Sequence, residues 1–379
     1  MAQITRYIDP DATGTGTGLT WANAYTSMNA WEAAENQDLT DGTPDYMTVY
    51  CRSSAGTDDT TACTIVGWTT AAASYIEIIG YDFPANGIFD SSKYILTGSG
   101  VTLLVISENY IRLSNLQFQA TVSLGGAARG ISVLTIDAGG SDIRVDSCIV
   151  KGICSGTGSA YGILCSDADA TVNVFNCVVY GFLSGADTNF AGIFGNNSTA
   201  LNVYNSTVQK CYSGLLRVAG TVTVTNCAVF NNTDDFTGTI TIDYCASDDG
   251  DGTNAEDFTA EATDWDKVFT DYTNDDVSLL NYTTSPCAVG QGTDDPGAGL
   301  YSDDIIGTAR STTWDIGAFE LESGTTSTST STSTSTSTST STSSSTTTST
   351  SSSTTTTATA STTSSTTSTT SSTATASTT

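Results

Sequence analysis

In 379 residues the chain sets 40 Asp and Glu against 11 Lys and Arg, a net charge of −29, and it has no His. Such a surface repels polyphosphate and anionic lipid, so neither nucleic acid nor a membrane is an expected partner. Without His the chain also lacks the commonest general base and metal ligand, which excludes a Ser-His-Asp triad.

The first nine residues contain no apolar core of a leader peptide, and no stretch of the chain is long enough to span a bilayer. Sec export of this reading frame is therefore not expected. Synthesis in the cytoplasm and release by lysis, as for virion components, fits; a truncated reading frame is the alternative. Residues 1–45 divide into a strand over Ile4 to Ile8, a Gly/Thr loop and a short helix. Thr26 or Ser27 can cap that helix, which carries Met28, Trp31 and Ala34 on one side. Its expected place is over the first coil of the repeat region, where core and strand edge would otherwise lie open.

From 46 to 247 one phrase recurs. It is clearest in Val172-Asn-Val-Phe-Asn-Cys-Val-Val179, Leu201-Asn-Val-Tyr-Asn-Ser-Thr-Val208 and Val222-Thr-Val-Thr-Asn-Cys-Ala-Val229. Its apolar anchor can be followed through Val49, Ile78, Leu113, Val145, Val174, Val203, Val224 and Ile242, with steps of 29, 35, 32, 29, 29, 21 and 18 residues. A fixed strand phrase at variable spacing predicts a solenoid whose coils carry loops of different length. A second phrase, Gly130-Ile131, Gly162-Ile163, Gly192-Ile193 and Gly214-Leu215, falls between anchors, so each coil has at least two strands.

Stacking turns each repeat position into a row. Asn115, Asn176, Asn205 and Asn226, with Ser147 in step, are expected to form an amide ladder at a turn, where Asn tolerates left-handed geometry. The next position gives Cys148, Cys177, Ser206, Cys227 and Cys245, read as an interior column of small side chains. Four of the ten Cys fall in that column, so packing explains them better than a disulfide framework does.

Residues 248–323 begin with an acidic, turn-rich run, where Asp248, Asp249 and Asp251 are either a calcium loop without EF-hand spacing or a solvated loop. No other cofactor is expected. The segment from Val268 to Leu321 is expected to add strands that seal the far end. Residues 324–379 are almost pure Ser and Thr and cannot build a core, so a disordered tail is expected, as a spacer, an O-glycosylated stalk or a passive expansion.

The Gly-Ile and Val-x-Asn-Cys-x-Val phrases resemble the right-handed parallel β-helix repeat of the pectate-lyase-like superfamily, over roughly Tyr46 to Ser247. Tyr7-Ile-Asp-Pro10 with Trp21-Ala-Asn-Ala-Tyr25, and Ser285-Pro286 with Trp314-Asp-Ile-Gly-Ala-Phe-Glu320, resemble the ends of members found in bacterial surface proteins and phage-associated reading frames. The resemblance implies an all-β, single-chain right-handed parallel β-helix. Members that cleave pectin use calcium-binding acids with a basic residue as proton acceptor, and Arg112 or Arg144 beside Asp146 is the nearest local counterpart. The polygalacturonase-like signature with its His is absent.

If the anchors point inward, alternation turns two columns outward. They are Glu77, Arg112, Arg144, Asn173, Asn202, Thr223, Thr241 and Ile79, Ser114, Asp146, Phe175, Tyr204, Thr225, Asp243. Arg112, Arg144, Asp146, Asn173, Phe175, Asn202 and Tyr204 combine flat rings with hydrogen-bonding forks, as a sugar-binding groove does, although ordinary solvated strand residues read the same way. Glycoside hydrolysis needs two carboxyls roughly 5–9.5 Å apart. Asp146 and Asp243 lie four coils apart, about 19 Å, and cannot pair; Asp167, Asp169 or Asp187 remain as loop candidates. The expected function is a non-enzymatic virion-surface or extracellular module, structural and glycan-binding like a tail spike or adhesin. Its expected partners are cell-surface or extracellular polysaccharide and other virion proteins. A polysaccharide lyase or glycoside hydrolase on the same scaffold is the alternative.

Overall fold

Period-two alternation makes strands, and a strand leaves its backbone groups unsatisfied unless another lies alongside. In this chain the neighbour is the next coil. The computed structural model describes residues 2–41, 45–123, 125–134, 141–184, 188–259 and 265–321, and in it nearly every strand pairs in parallel with its equivalent one coil away. The fold is a right-handed parallel β-helix, the hand that parallel crossovers take. The Ser/Thr tail expected at 324–379 lies outside the described residues.

A complete coil has three strands, forming three walls. The anchor phrase builds the first wall: Gln3–Ile8, Tyr46–Cys51, Ile76–Gly80, Ile111–Ser114, Ile143–Asp146, Thr171–Phe175, the ends of Phe190–Tyr204 and Ser213–Thr225, and Thr241–Asp243. Val49, Ile78, Leu113, Val145, Val174, Val203, Val224 and Ile242 are successive register partners. All but the last are fully buried. The second wall runs from Ile95–Ser99 through Gln117–Val122, Ile149–Cys154, Val178–Tyr180, Thr207–Gln209, Ala228–Phe230 and Ala246–Ser247 to Glu256–Asp257. The third begins at Cys63–Ile65, takes in Thr102–Ile106, Gly126–Val133, Gly158–Cys165 and the starts of the two long strands, and ends at Asp234–Thr237.

The Gly-Ile phrase belongs to this third wall, and packing explains its glycines. A Cβ on Gly162 would lie 2.5 Å from the Gly192 carbonyl and 2.6 Å from Val179 of the second wall. Gly130, Gly192 and Gly214 meet Val150, Val208 and Val229 in the same way. The walls approach so closely there that only hydrogen fits.

At the N-terminal end Ser27 caps the helix Met28–Glu35, accepting from Ala30 N at 3.0 Å. Met28 and Trp31 are fully buried, and Trp31 stacks on Trp68. Arg6, in the anchor position of the first rung, pairs with Glu35 of this helix.

The C-terminal segment does not seal the far end as expected. It lies along the flank, where Phe258, Trp265, Phe269, Val277, Ile316 and Phe319 form one apolar cluster with the outward face of the second wall: Ile149, Val178, Tyr180, Ala228, Phe230 and Ala246. Outward-facing apolar residues on that wall need a cover, and the chain supplies it. Among the described residues no helix is long and apolar enough to cross a membrane.

Candidate functional site

The turn between the first and second walls is where the repeat carries its polar residues. Asn115, Ser147, Asn176, Asn205, Asn226 and Tyr244 all adopt left-handed φ there, between 39° and 56°. Their amides mostly reach the C-terminal segment rather than one another. Asn176 donates to the Asp303 carbonyl at 2.9 Å and accepts from Arg310 Nη2 at 2.7 Å. Asn205 donates to the Asp315 carbonyl and accepts from the Tyr301 hydroxyl, and Asn226 donates to the Thr293 carbonyl. One ladder contact survives, Asn226 to Asn205 at 3.3 Å. Inside the same turn Cys148, Cys177, Cys227 and Cys245 are fully buried, with Ser206 in line, and all ten thiols are free. Burial pushes the Cys177 and Cys227 thiols well above their usual range.

The outward columns of the first wall have the expected register. Their surroundings differ. Phe175 is 2% exposed because Tyr301 stacks on it at 4.7 Å and Trp314 completes the cluster, with Tyr204 half-buried at its edge. Phe175 therefore offers no face to a sugar. Replacing it would test packing instead of binding. Arg112 and Arg144 converge on Asp142, at 3.2 and 2.7 Å, and Arg112 also lies over the Tyr75 ring. Although burial opposes it, hydrogen bonds from Arg144 and Arg112 hold the Asp142 carboxyl below its usual value. The two guanidiniums are thus committed to the protein. Asn202 donates to Asn173 at 3.0 Å, and Asn173 is nearly buried.

Asp146 faces a different neighbourhood from the one expected. It accepts from Ser147 Oγ at 2.8 Å and Asn176 Nδ2 at 3.4 Å, and burial pushes it up to about 6. It lines a cleft of about 350 Å³ bounded by Gly80, Tyr81, Asn115, Ser147 and, from the C-terminal segment, Asp303 and Asp304. Asp304 is spoken for, since its carboxylate accepts from Ile306, Thr308 and Glu320 amides.

In the acidic run two carboxylates are engaged by backbone amides. Asp248 accepts from Asn231 N, and Asp249 from Asp235 N. Burial, then the bond shared with Asp248, pushes Asp235 to about 10. Among the described residues no three acidic or Cys side chains converge to hold a metal ion. Of the loop candidates, Asp167 accepts from Asp169 N in a turn, and Asp187 lies outside the described residues.

Sequence reasoning missed an aromatic cluster over the first three coils. Tyr7 and Tyr50 stack as register partners at 6.0 Å, Trp21 packs on Tyr7 at 4.6 Å, and Tyr81 meets both Trp21 and Tyr50. Arg52, paired with Asp9, lies 4.1 Å over Trp21. The signal was available in part: Tyr7 and Trp21 sit in the N-terminal motif, and alternation turns Tyr50 outward. Tyr81 lies beyond the strand phrase and has no periodic mark.

No family model matches the chain, and no curated protein matches it. Solved structures that match include one described as "Crystal structure of pectate lyase Pel9A". It is 14% identical, with 85% of this chain and 97% of that chain covered and a TM-score of 0.31, and at that score it carries no argument about this chain.

Proposed function

We propose that the chain is a non-enzymatic structural module of a virion or extracellular surface that binds glycan through its first coils. The observation that carries this reading is the ring cluster of Tyr7, Trp21, Tyr50 and Tyr81, in which Tyr81 is 63% exposed, the other three are half-buried, and Tyr81 adjoins the cleft. An exposed ring with a polar tip, as Tyr81 presents, suits the alternating apolar and hydroxyl faces of a pyranose. On a glycan array the intact chain is expected to bind, and Trp21→Ala to bind about tenfold more weakly. An array that stays blank for the intact chain would sink the reading.

A polysaccharide lyase or glycoside hydrolase is the second reading. It is favoured by Asp146, whose carboxyl burial pushes up to about 6, lining one cleft with Asp303. Reducing-sugar and unsaturated-product assays over a polysaccharide panel between pH 5 and 8 separate the two. Turnover that Asp146→Asn abolishes would establish the enzyme; none is expected.

A further inference from the structure

We infer, resting on the glycan-binding reading, that the ring cluster and the adjoining cleft take an uncharged saccharide chain and reject polyuronates and other acidic glycans. Tyr81 is 63% exposed and belongs both to the ring cluster and to the cleft lining, so the two make one continuous surface. Among the described residues the cleft part of that surface has no cation to offer. The cleft lining contains Asp146, Asp303 and Asp304 and neither Lys nor Arg.

The arginines nearest it are engaged with carboxylates. Arg52 is held by Asp9 at 2.9 Å with its guanidinium over Trp21. Arg112 and Arg144 share Asp142. Arg310, which reaches the Asp303 carbonyl, is fully buried on Glu320. A carboxylated sugar entering the cleft would lose water and meet aspartates with no Lys or Arg in the lining, an arrangement that disfavours binding. With a net charge of −29 the long-range field adds to this, slowing the approach of any polyanion. An uncharged pyranose meets none of these costs. Its C–H face can lie on the exposed Tyr81 ring while its hydroxyls reach Asn115, Ser147 and the Asp146 carboxyl, all of which line the same cleft.

The full-length chain is tested first on an array of uncharged and acidic glycans, then by calorimetric titration with an uncharged hexasaccharide found on it and with hexagalacturonate. Hexagalacturonate is expected to bind at least about tenfold more weakly at low salt, with the gap narrowing as salt screens the field. Tyr81→Ala is expected to weaken the uncharged ligand about tenfold, and Tyr81→Phe to retain it. Exposure of Tyr81 keeps the fold out of the comparison, and an unchanged melting temperature of both variants checks that. Acidic glycans bound as tightly as uncharged ones, or a Tyr81→Ala variant that binds normally, would overturn the assignment while leaving glycan binding intact. An array on which nothing binds removes the glycan-binding reading itself, and this inference falls with it.

Discussion

The Asn that occupies four of the six left-handed turns does two jobs at once. Left-handed φ costs a non-Gly residue roughly 1–2 kcal/mol, and Asn is among the few that adopt it readily. Its amide is then aimed out of the turn with both donor and acceptor available. At Asn205, fully buried, the amide bonds Asp315, Tyr301 and Asn226. Asn205→Ala keeps the strained backbone and strands those partners, so a loss of about 2–4 kcal/mol is expected from the denaturant midpoint. Asn205→Gly relieves the backbone alone and should recover about 1 kcal/mol of that. Equal losses for the two variants would show that the turn geometry contributes nothing.

The element that gives the turn row its purpose is the C-terminal segment. Trp314-Asp-Ile-Gly-Ala-Phe-Glu320 is a clamp bonded to itself: Glu320 accepts from Ser311 and Asp315 amides, and Asp315 from Gly290 and Leu321. Arg310 joins clamp to helix through Glu320 and Asn176, with both charged side chains essentially unexposed. Removing one partner of such a pair leaves a buried charge unmatched, which costs about 3–5 kcal/mol. Arg310→Ala is therefore expected to speed amide exchange across 300–321 while the anchor strands of the first wall stay protected. Exchange that rises equally in both would mean the clamp and the helix unfold as one. The sequence showed this motif, yet it could not show where the motif docks. Ile149, Val178, Ala228 and Ala246 alternate like any strand residues, and only the three-wall cross-section reveals that they face outward and need covering.

For the molecule as a whole, buried carboxyls set the response to pH. Burial holds Asp146 and Asp315 at about 6, and burial with the Asp248 bond holds Asp235 at about 10. In the unfolded chain these groups release their protons near about 3.9. The stability they contribute is complete below that value and is lost as pH rises through 6 and then 10. Working oppositely, hydrogen bonds hold Asp11, Asp38 and Asp90 below their usual value, and that contribution disappears as pH falls beneath it. The melting temperature should therefore peak near about pH 4–5 and fall steadily toward pH 9, helped by repulsion among surplus carboxylates. Asp146→Asn should flatten the limb between pH 4 and 6, and Asp235→Asn the alkaline limb. A melting temperature that rises above neutrality would contradict this.

By itself the sequence determined the stack: inward valines every second residue, left-handed Asn turns, a thiol row and a short helix capped at Thr26 or Ser27 are local properties, written in periods of two and in single turn residues. Tertiary structure decided what faces solvent. Phe175 looked open until Tyr301, more than a hundred residues away, lay on it, and Tyr81 looked ordinary until three coils and the Trp21 loop placed it beside a cleft. Periodicity tells which side of a strand points outward, but whether outward means water depends on which distant segment comes to cover it, and no local pattern encodes that.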